Sequence, residues 1–85
     1  MTSYRRAADL AVVCRDRRIY VGVLSGDVVV LQDNAALIWE CVDGSTVDEL
    51  IRTVADRVAL SESDIAADTV RCLESMRQAQ IVIAE

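Results

Sequence analysis

The residue types that usually perform catalysis or bind metals are sparse in this chain. It has no histidine, which removes the Ser–His and Cys–His pairs that activate nucleophiles. Its three cysteines, Cys14, Cys41 and Cys72, form no C-x-x-C motif, and each lies in an apolar pattern typical of packing. The three glycines are isolated, so the chain has no phosphate-binding loop. We therefore expect no metal, no cofactor and no enzymatic activity.

Charge is distributed unevenly along the chain. Residues 1–18 contain five arginines and two aspartates, a net charge of +3, whereas residues 33–85 contain eleven acids and four arginines, a net charge of −7. An acidic domain is a poor general binder of nucleic acid, because phosphate neutralisation supplies most of that affinity. We expect no nucleic-acid partner. The arginine-rich end is either solvated or meets an acidic protein surface.

Length and hydrophobicity predict one small domain over residues 1–85, with its core within about residues 10–83. The first nine residues are polar and charged, unlike a signal peptide, and the apolar runs are far too short to span a membrane. An odd number of cysteines fits a reducing compartment. We therefore expect a cytoplasmic protein without a membrane partner.

Three short apolar runs predict an antiparallel meander. They cover residues 10–14, 19–24 and 28–31, and two polar turns separate them. The third run, Val28–Leu31, contains neither proline nor lysine. Because the last strand of a meander has one unpaired side, this run predicts an open sheet edge.

Helical patterns follow the meander. Asp33 or Asn34 is expected to cap the first helix, and Asp43-Gly44 is expected to end it in a tight turn, with Gly44 in the left-handed conformation. Thr46 and Glu49 have the spacing of a capping box at the start of the second helix.

A second capping signal, Ser61–Asp64, predicts the start of the third helix, and Ile81–Ile83 is expected to form a short strand. The predicted order is therefore β-β-β-α-α-α-β. This order indicates an α+β fold with a winged helix-turn-helix-like arrangement, in which a three-stranded antiparallel meander precedes three helices and a short C-terminal strand.

An ordered series of short motifs resembles the PqqD-like family, also called the RiPP recognition element, where RiPPs are ribosomally made and post-translationally modified peptides. The series comprises Leu31, then Ala35–Trp39, then Asp43–Leu50, then Asp64–Leu73, and the closing Ile81–Val82. It extends over nearly the whole chain. Gln80 stands where the family usually has a glycine.

The resemblance implies that the protein binds the leader segment of a precursor peptide. The leader would add as a strand to the third predicted strand, in a cleft beside the third helix. The implied leader-binding residues are Val28, Val29, Val30, Leu31, Asp68, Arg71, Cys72 and Ser75. Arg71 is expected to pair with an acidic leader residue, and Asp68 with a basic one.

The lack of a fused domain resembles the discrete recognition proteins of lasso peptide biosynthesis. This implies a separate leader peptidase, or another modifying enzyme, as the protein partner. One alternative is a pyrroloquinoline quinone (PQQ) or mycofactocin chaperone that serves a radical SAM enzyme. A second is a winged-helix DNA-binding regulator, which needs a basic recognition helix that neither candidate helix provides. A third is a subunit-assembly module without a leader.

Overall fold

The computed structural model describes residues 1–85. It contains six strands and three helices. In chain order these are β1 (Ser3–Arg6), β2 (Ala11–Arg15), β3 (Arg18–Gly22), β4 (Val28–Gln32), α1 (Asp33–Cys41), β5 (Asp43–Thr46), α2 (Val47–Val58), α3 (Glu62–Gln78) and β6 (Val82–Ala84).

The predicted meander is confirmed as an antiparallel sheet of order β2-β3-β4. Asp16 and Arg17 form the turn between β2 and β3, with φ angles of 53° and 64°. Two successive positive φ angles are typical of the type I′ hairpin turn, whose twist matches that of the strands. The sheet is therefore built from local pairings, and both outer strands have one unpaired edge.

A second sheet, of order β5-β1-β6, joins the two ends of the chain. The sequence did not predict β1 or β5. Gly44 does adopt the predicted left-handed conformation, with φ of 72°, but residues 43–46 pair with β1 instead of forming only a turn. Because β6 pairs with β1 and not with the meander, the winged helix-turn-helix label describes the fold only loosely.

The core lies between the meander and the helices. Ile19 and Val21 of β3 and Leu31 of β4 are buried against residues from all three helices. Trp39 is 4 % exposed, and its indole Nε1–H donates to the Ile81 carbonyl at 3.1 Å. This bond links α1 to the start of the C-terminal segment. The guanidinium of Arg6 lies 5.5 Å from the Trp39 ring centre, within cation–π range.

Two of the three predicted helix caps are confirmed. The Thr46 hydroxyl accepts from the Glu49 amide at 3.3 Å while the Thr46 amide donates to the Glu49 carboxylate at 3.0 Å. Ser61 caps α3 through the Asp64 amide at 3.3 Å. The predicted cap at Asp33 or Asn34 is wrong, because α1 already begins at Asp33 and no side chain bonds to its first amides. None of the helices is long and apolar enough to cross a membrane.

Candidate functional site

The free edge of β4 presents unpaired backbone groups. In an antiparallel sheet, residues bonded to the neighbouring strand alternate with residues whose backbone groups point away from it. Where the chain turns from β3 into β4, the Val23 amide donates to the Asp27 carbonyl at 3.0 Å. Because every second residue bonds to the neighbouring strand, Val29 and Leu31 are the next residues of β4 that bond to β3. Val28 and Val30 therefore direct their N–H and C=O groups outward. These two residues can receive an added strand.

A cavity of about 240 Å³ lies between this edge and α3. Seven of its eight lining residues are hydrophobic, so it suits apolar side chains and not ions. The lining comprises Val29, Val30, Leu31, Ala35, Cys72, Ser75, Met76 and Ala79. An edge with unpaired backbone groups thus stands directly beside a pocket for side chains.

Most residues of the predicted site come together here. Val29, Val30, Leu31, Cys72 and Ser75 all line the cavity. Val28 lies on the same edge and is 62 % exposed.

The predicted charged pair lies outside the cavity lining. Asp68 and Arg71 are exposed on α3 and bond to each other, with Arg71 Nη1 donating to Asp68 Oδ1 at 3.1 Å. They stand nearer the N-terminal end of α3 than the cavity residues do. Pairing with charged leader residues would require this surface ion pair to open, which costs little because exposed pairs are weak. Their role in leader binding stays a prediction.

Three cavity residues were absent from the predicted site. Ala35 lies in the first turn of α1, just after the end of β4. Met76 and Ala79 lie on the same face of α3 as Cys72, further toward its C-terminal end. A sequence signal for Met76 and Ala79 did exist, because residues spaced by three or four share one face of a helix. Met76 also belongs to the hydrophobic core, at 4 % exposure.

The Cys72 thiol behaves as part of the apolar lining. Burial is the main cause that raises its pKa above the usual 9.0, the Asp68 carboxylate raises it further, and Arg71 opposes both. The thiol therefore stays protonated near neutral pH, which disfavours nucleophilic chemistry. No group of histidine, cysteine or acidic side chains in the chain could hold a metal ion.

A larger hollow of about 860 Å³ lies where α2 turns into α3, around Ala59–Glu62. Only three of its eight lining residues are hydrophobic, and no strand edge borders it. It offers neither backbone pairing nor a dry pocket. The β4 edge is therefore the stronger candidate, although its cavity is smaller.

Two comparisons with known proteins gave matches. Residues 12–82 match the family model described as "Coenzyme PQQ synthesis protein D (PqqD)". Among solved structures, the chain resembles one titled "Lasso peptide synthetase B1 complexed with the leader peptide", with a TM-score of 0.77 and 19 % identity over 95 % of this chain and 98 % of that chain. No curated protein matches the chain. At this identity, the structural match shows a shared fold.

Proposed function

The chain belongs to the PqqD family, and we propose that it binds the leader segment of a ribosomally synthesised precursor peptide. The observation that carries the proposal is the open β4 edge with an apolar cavity beside it. Strand addition needs both features, since backbone pairing supplies affinity and side-chain pockets supply selection.

In this mechanism the leader lies along β4 as a fourth strand of the meander. Val28 and Val30 exchange backbone hydrogen bonds with it. Alternate leader side chains then point to the inner side of the sheet and enter the cavity, where Cys72 and Met76 of α3 contact them. The protein holds the leader and leaves the rest of the precursor free for a separate enzyme.

We place this activity in lasso peptide biosynthesis, with a leader peptidase or another modifying enzyme as partner. The support is the similar structure, whose title names a lasso peptide synthetase B1 and a leader peptide. The family description favours a second candidate, a peptide chaperone in coenzyme PQQ synthesis. Both candidates use the same edge, so leader identity separates them.

The proposal is tested by titrating the protein onto fluorescently labelled synthetic leader peptides taken from any precursor genes found in its genomic neighbourhood. We expect saturable binding by the wild type. Val30→Pro removes an outward N–H from β4 without breaking a β3–β4 bond, and it should weaken binding about tenfold or more.

Val12→Pro is the matched control, because it removes an outward N–H from β2 at the opposite edge of the same sheet. Leader affinity should stay within about twofold of wild type. Circular dichroism would check that both variants fold. Absence of saturable binding to any neighbouring leader, or equal loss in both variants, would contradict the proposal.

A further inference from the structure

Strand β2 is unusually exposed to solvent for an apolar strand. All five of its residues are exposed, including Val12 at 45 % and Val13 at 56 %. Its neighbour β3 has Ile19 and Val21 buried. The helices therefore cover β3 but leave β2 exposed, with only Ala36 and Glu40 of α1 across an open hollow from Cys14 and Arg15.

The backbone of β2 is also free to pair. A two-residue hairpin turn makes its flanking residues, Arg15 and Arg18, a bonded pair, and bonded residues then alternate along the strand. Val12 and Cys14 consequently direct their N–H and C=O groups away from β3. No proline or lysine protects this edge, which makes it a template for another strand.

We propose that β2 pairs with β2 of a second copy of this chain, antiparallel about a two-fold axis at Val13. This register sets Val12 opposite Cys14 of the second copy, so the outward groups of both strands bond to each other. Val13 lies opposite itself, and on its face of the sheet Val13, Tyr20 and Val30 form a row across the three strands. The row becomes continuous through both copies.

Charge complementarity supports a second copy as the occupant. In this register Arg15, the last residue of β2, lies opposite Ala11 of the other copy at both ends of the interface, and that copy's Asp9 is two residues from Ala11. Neither Arg15 nor Asp9 forms an ion pair within its own chain. The two Arg15 side chains stay apart, about 13 Å along the strands, which exceeds the screening length at physiological salt.

The pairing leaves β4 and its cavity open in both copies. It is therefore independent of leader binding, and either proposal can fail alone. The interface is short, which is typical of weak association, so the protein should be monomeric when dilute and dimeric when concentrated.

Sedimentation equilibrium of the intact chain from about 10 to about 500 µM tests this directly. We expect a monomer–dimer equilibrium. Val13→Asp places two carboxylates face to face on the two-fold axis and should weaken the dimer at least about tenfold. Leu24→Asp alters a residue that is 87 % exposed in the β3–β4 turn and should leave the dimer unchanged. A monomer at every concentration, or a dimer insensitive to Val13→Asp, would overturn the proposal.

Disulfide trapping tests the register. Directly opposed, non-bonded residues have Cα atoms about 4.5 Å apart, within disulfide range. In a Cys14→Ser background, Val13→Cys should therefore form a covalent dimer on mild oxidation. Leu24→Cys in the same background should not. Equal cross-linking of both variants would show random collision and overturn the pairing.

Discussion

The two edges of the meander have nearly the same backbone chemistry and different surroundings. Both β2 and β4 are short, apolar and free of proline and lysine, and the backbone groups that point outward include those of Val12 and Cys14 in β2 and of Val28 and Val30 in β4. Beside β4 stands α3, with a cavity of about 240 Å³ between them. Beside the end of β2, Cys14, Arg15 and the arginine-rich hairpin turn share an open hollow of about 290 Å³ with Ala36 and Glu40 of α1, and only three of its eight lining residues are hydrophobic.

This difference shows what makes a strand edge selective. Any extended chain can pair with an open edge, because the hydrogen bonds involve only the backbone. A neighbouring cavity adds a preference for particular side chains, so the β4 edge can choose a peptide sequence. The hollow at the end of β2 is lined mostly by polar residues and offers little to apolar side chains, so this edge selects a partner mainly through its own row of side chains. Another β2 strand matches that row best.

The largest effect should come from filling the cavity at the β4 edge. Ser75 lines it yet is exposed, so Ser75→Trp can fold while its ring occupies the space for leader side chains. We expect about tenfold or greater loss of leader affinity in an anisotropy titration. Glu74→Trp places the same bulk on a neighbouring face of α3 outside the cavity and should bind almost normally. Equal leader affinity of the two variants would show that the cavity does not hold leader side chains.

One cysteine marks each edge, which allows both to be followed in one experiment. Saturating leader should slow alkylation of Cys72, in the β4 cavity, several-fold, and should leave Cys14, on β2, unaffected at dilute protein concentration. Mass spectrometry of the labelled peptides measures both rates. Protection of Cys14 by the leader would place the peptide at the wrong edge.

The pH dependence of the Cys72 rate provides a further check. Burial and Asp68 raise the pKa of this thiol above 9.0, so the reactive thiolate is a minor species at neutral pH. Without leader, the rate should rise about tenfold per pH unit between about pH 7 and 9. A rate that levels off near pH 7 would contradict the raised pKa.

Changes away from both edges should affect stability and not binding. Thr46→Ala removes the hydroxyl that caps α2, and we expect a loss of about 1 kcal/mol in unfolding free energy at pH 7. Leader affinity should not change, because Thr46 is not among the residues that line the cavity. Urea denaturation and the leader titration measure the two quantities. A large loss of affinity would show that α2 helps to form the site.

The capping box should also respond to acid. The Thr46 amide, followed by its hydroxyl, lowers the pKa of the Glu49 carboxyl below 4.5. A lowered carboxyl pKa means that this stabilisation is present above about pH 4.5 and is lost as pH falls through the folded-state pKa. The stability difference between wild type and Thr46→Ala should therefore narrow below about pH 4. Because the amide of residue 46 still donates to Glu49 in the variant, an unchanged difference would mean that the bond from the Thr46 hydroxyl to the carboxylate contributes nothing to the cap.

Sequence patterns predicted the locally determined parts of this molecule and missed the non-local ones. The meander follows from apolar runs between turns, and α2 and α3 follow from their caps. Strands β1 and β5, Ser-Tyr-Arg-Arg and Asp-Gly-Ser-Thr, lack an apolar alternation. They are strands because distant segments pair with them, which no local pattern reveals.

The candidate site shows the same division. The residues on the edge of β4 could be predicted from a family resemblance and from the lack of any protecting residue. The contribution of Ala35 depends on how α1 packs against β4 and α3, and the sequence alone does not predict that packing. The resemblance also implied Asp68 and Arg71, which in the structure bond to each other and lie outside the cavity lining.

The smallest effect concerns Gln80, the second residue after α3. Gln80 has φ of 66°, a conformation that favours glycine. Gln80→Gly should raise the unfolding free energy by roughly 0.5 kcal/mol, because relief of backbone strain exceeds the added entropy of the unfolded chain. Gln78→Gly, still within α3, should instead destabilise by a similar amount or more. Opposite signs in thermal denaturation are the expected result.

The most direct measurement is amide hydrogen exchange, followed residue by residue by NMR, with and without the leader at dilute protein concentration. The Val28 and Val30 amides point outward from β4 and should exchange quickly in the free protein and slowly once the leader pairs with them. The Val12 and Cys14 amides of β2 should remain fast in both states. Protection of Val12 and Cys14, or no new protection at Val28 and Val30 with the leader bound, would contradict the account.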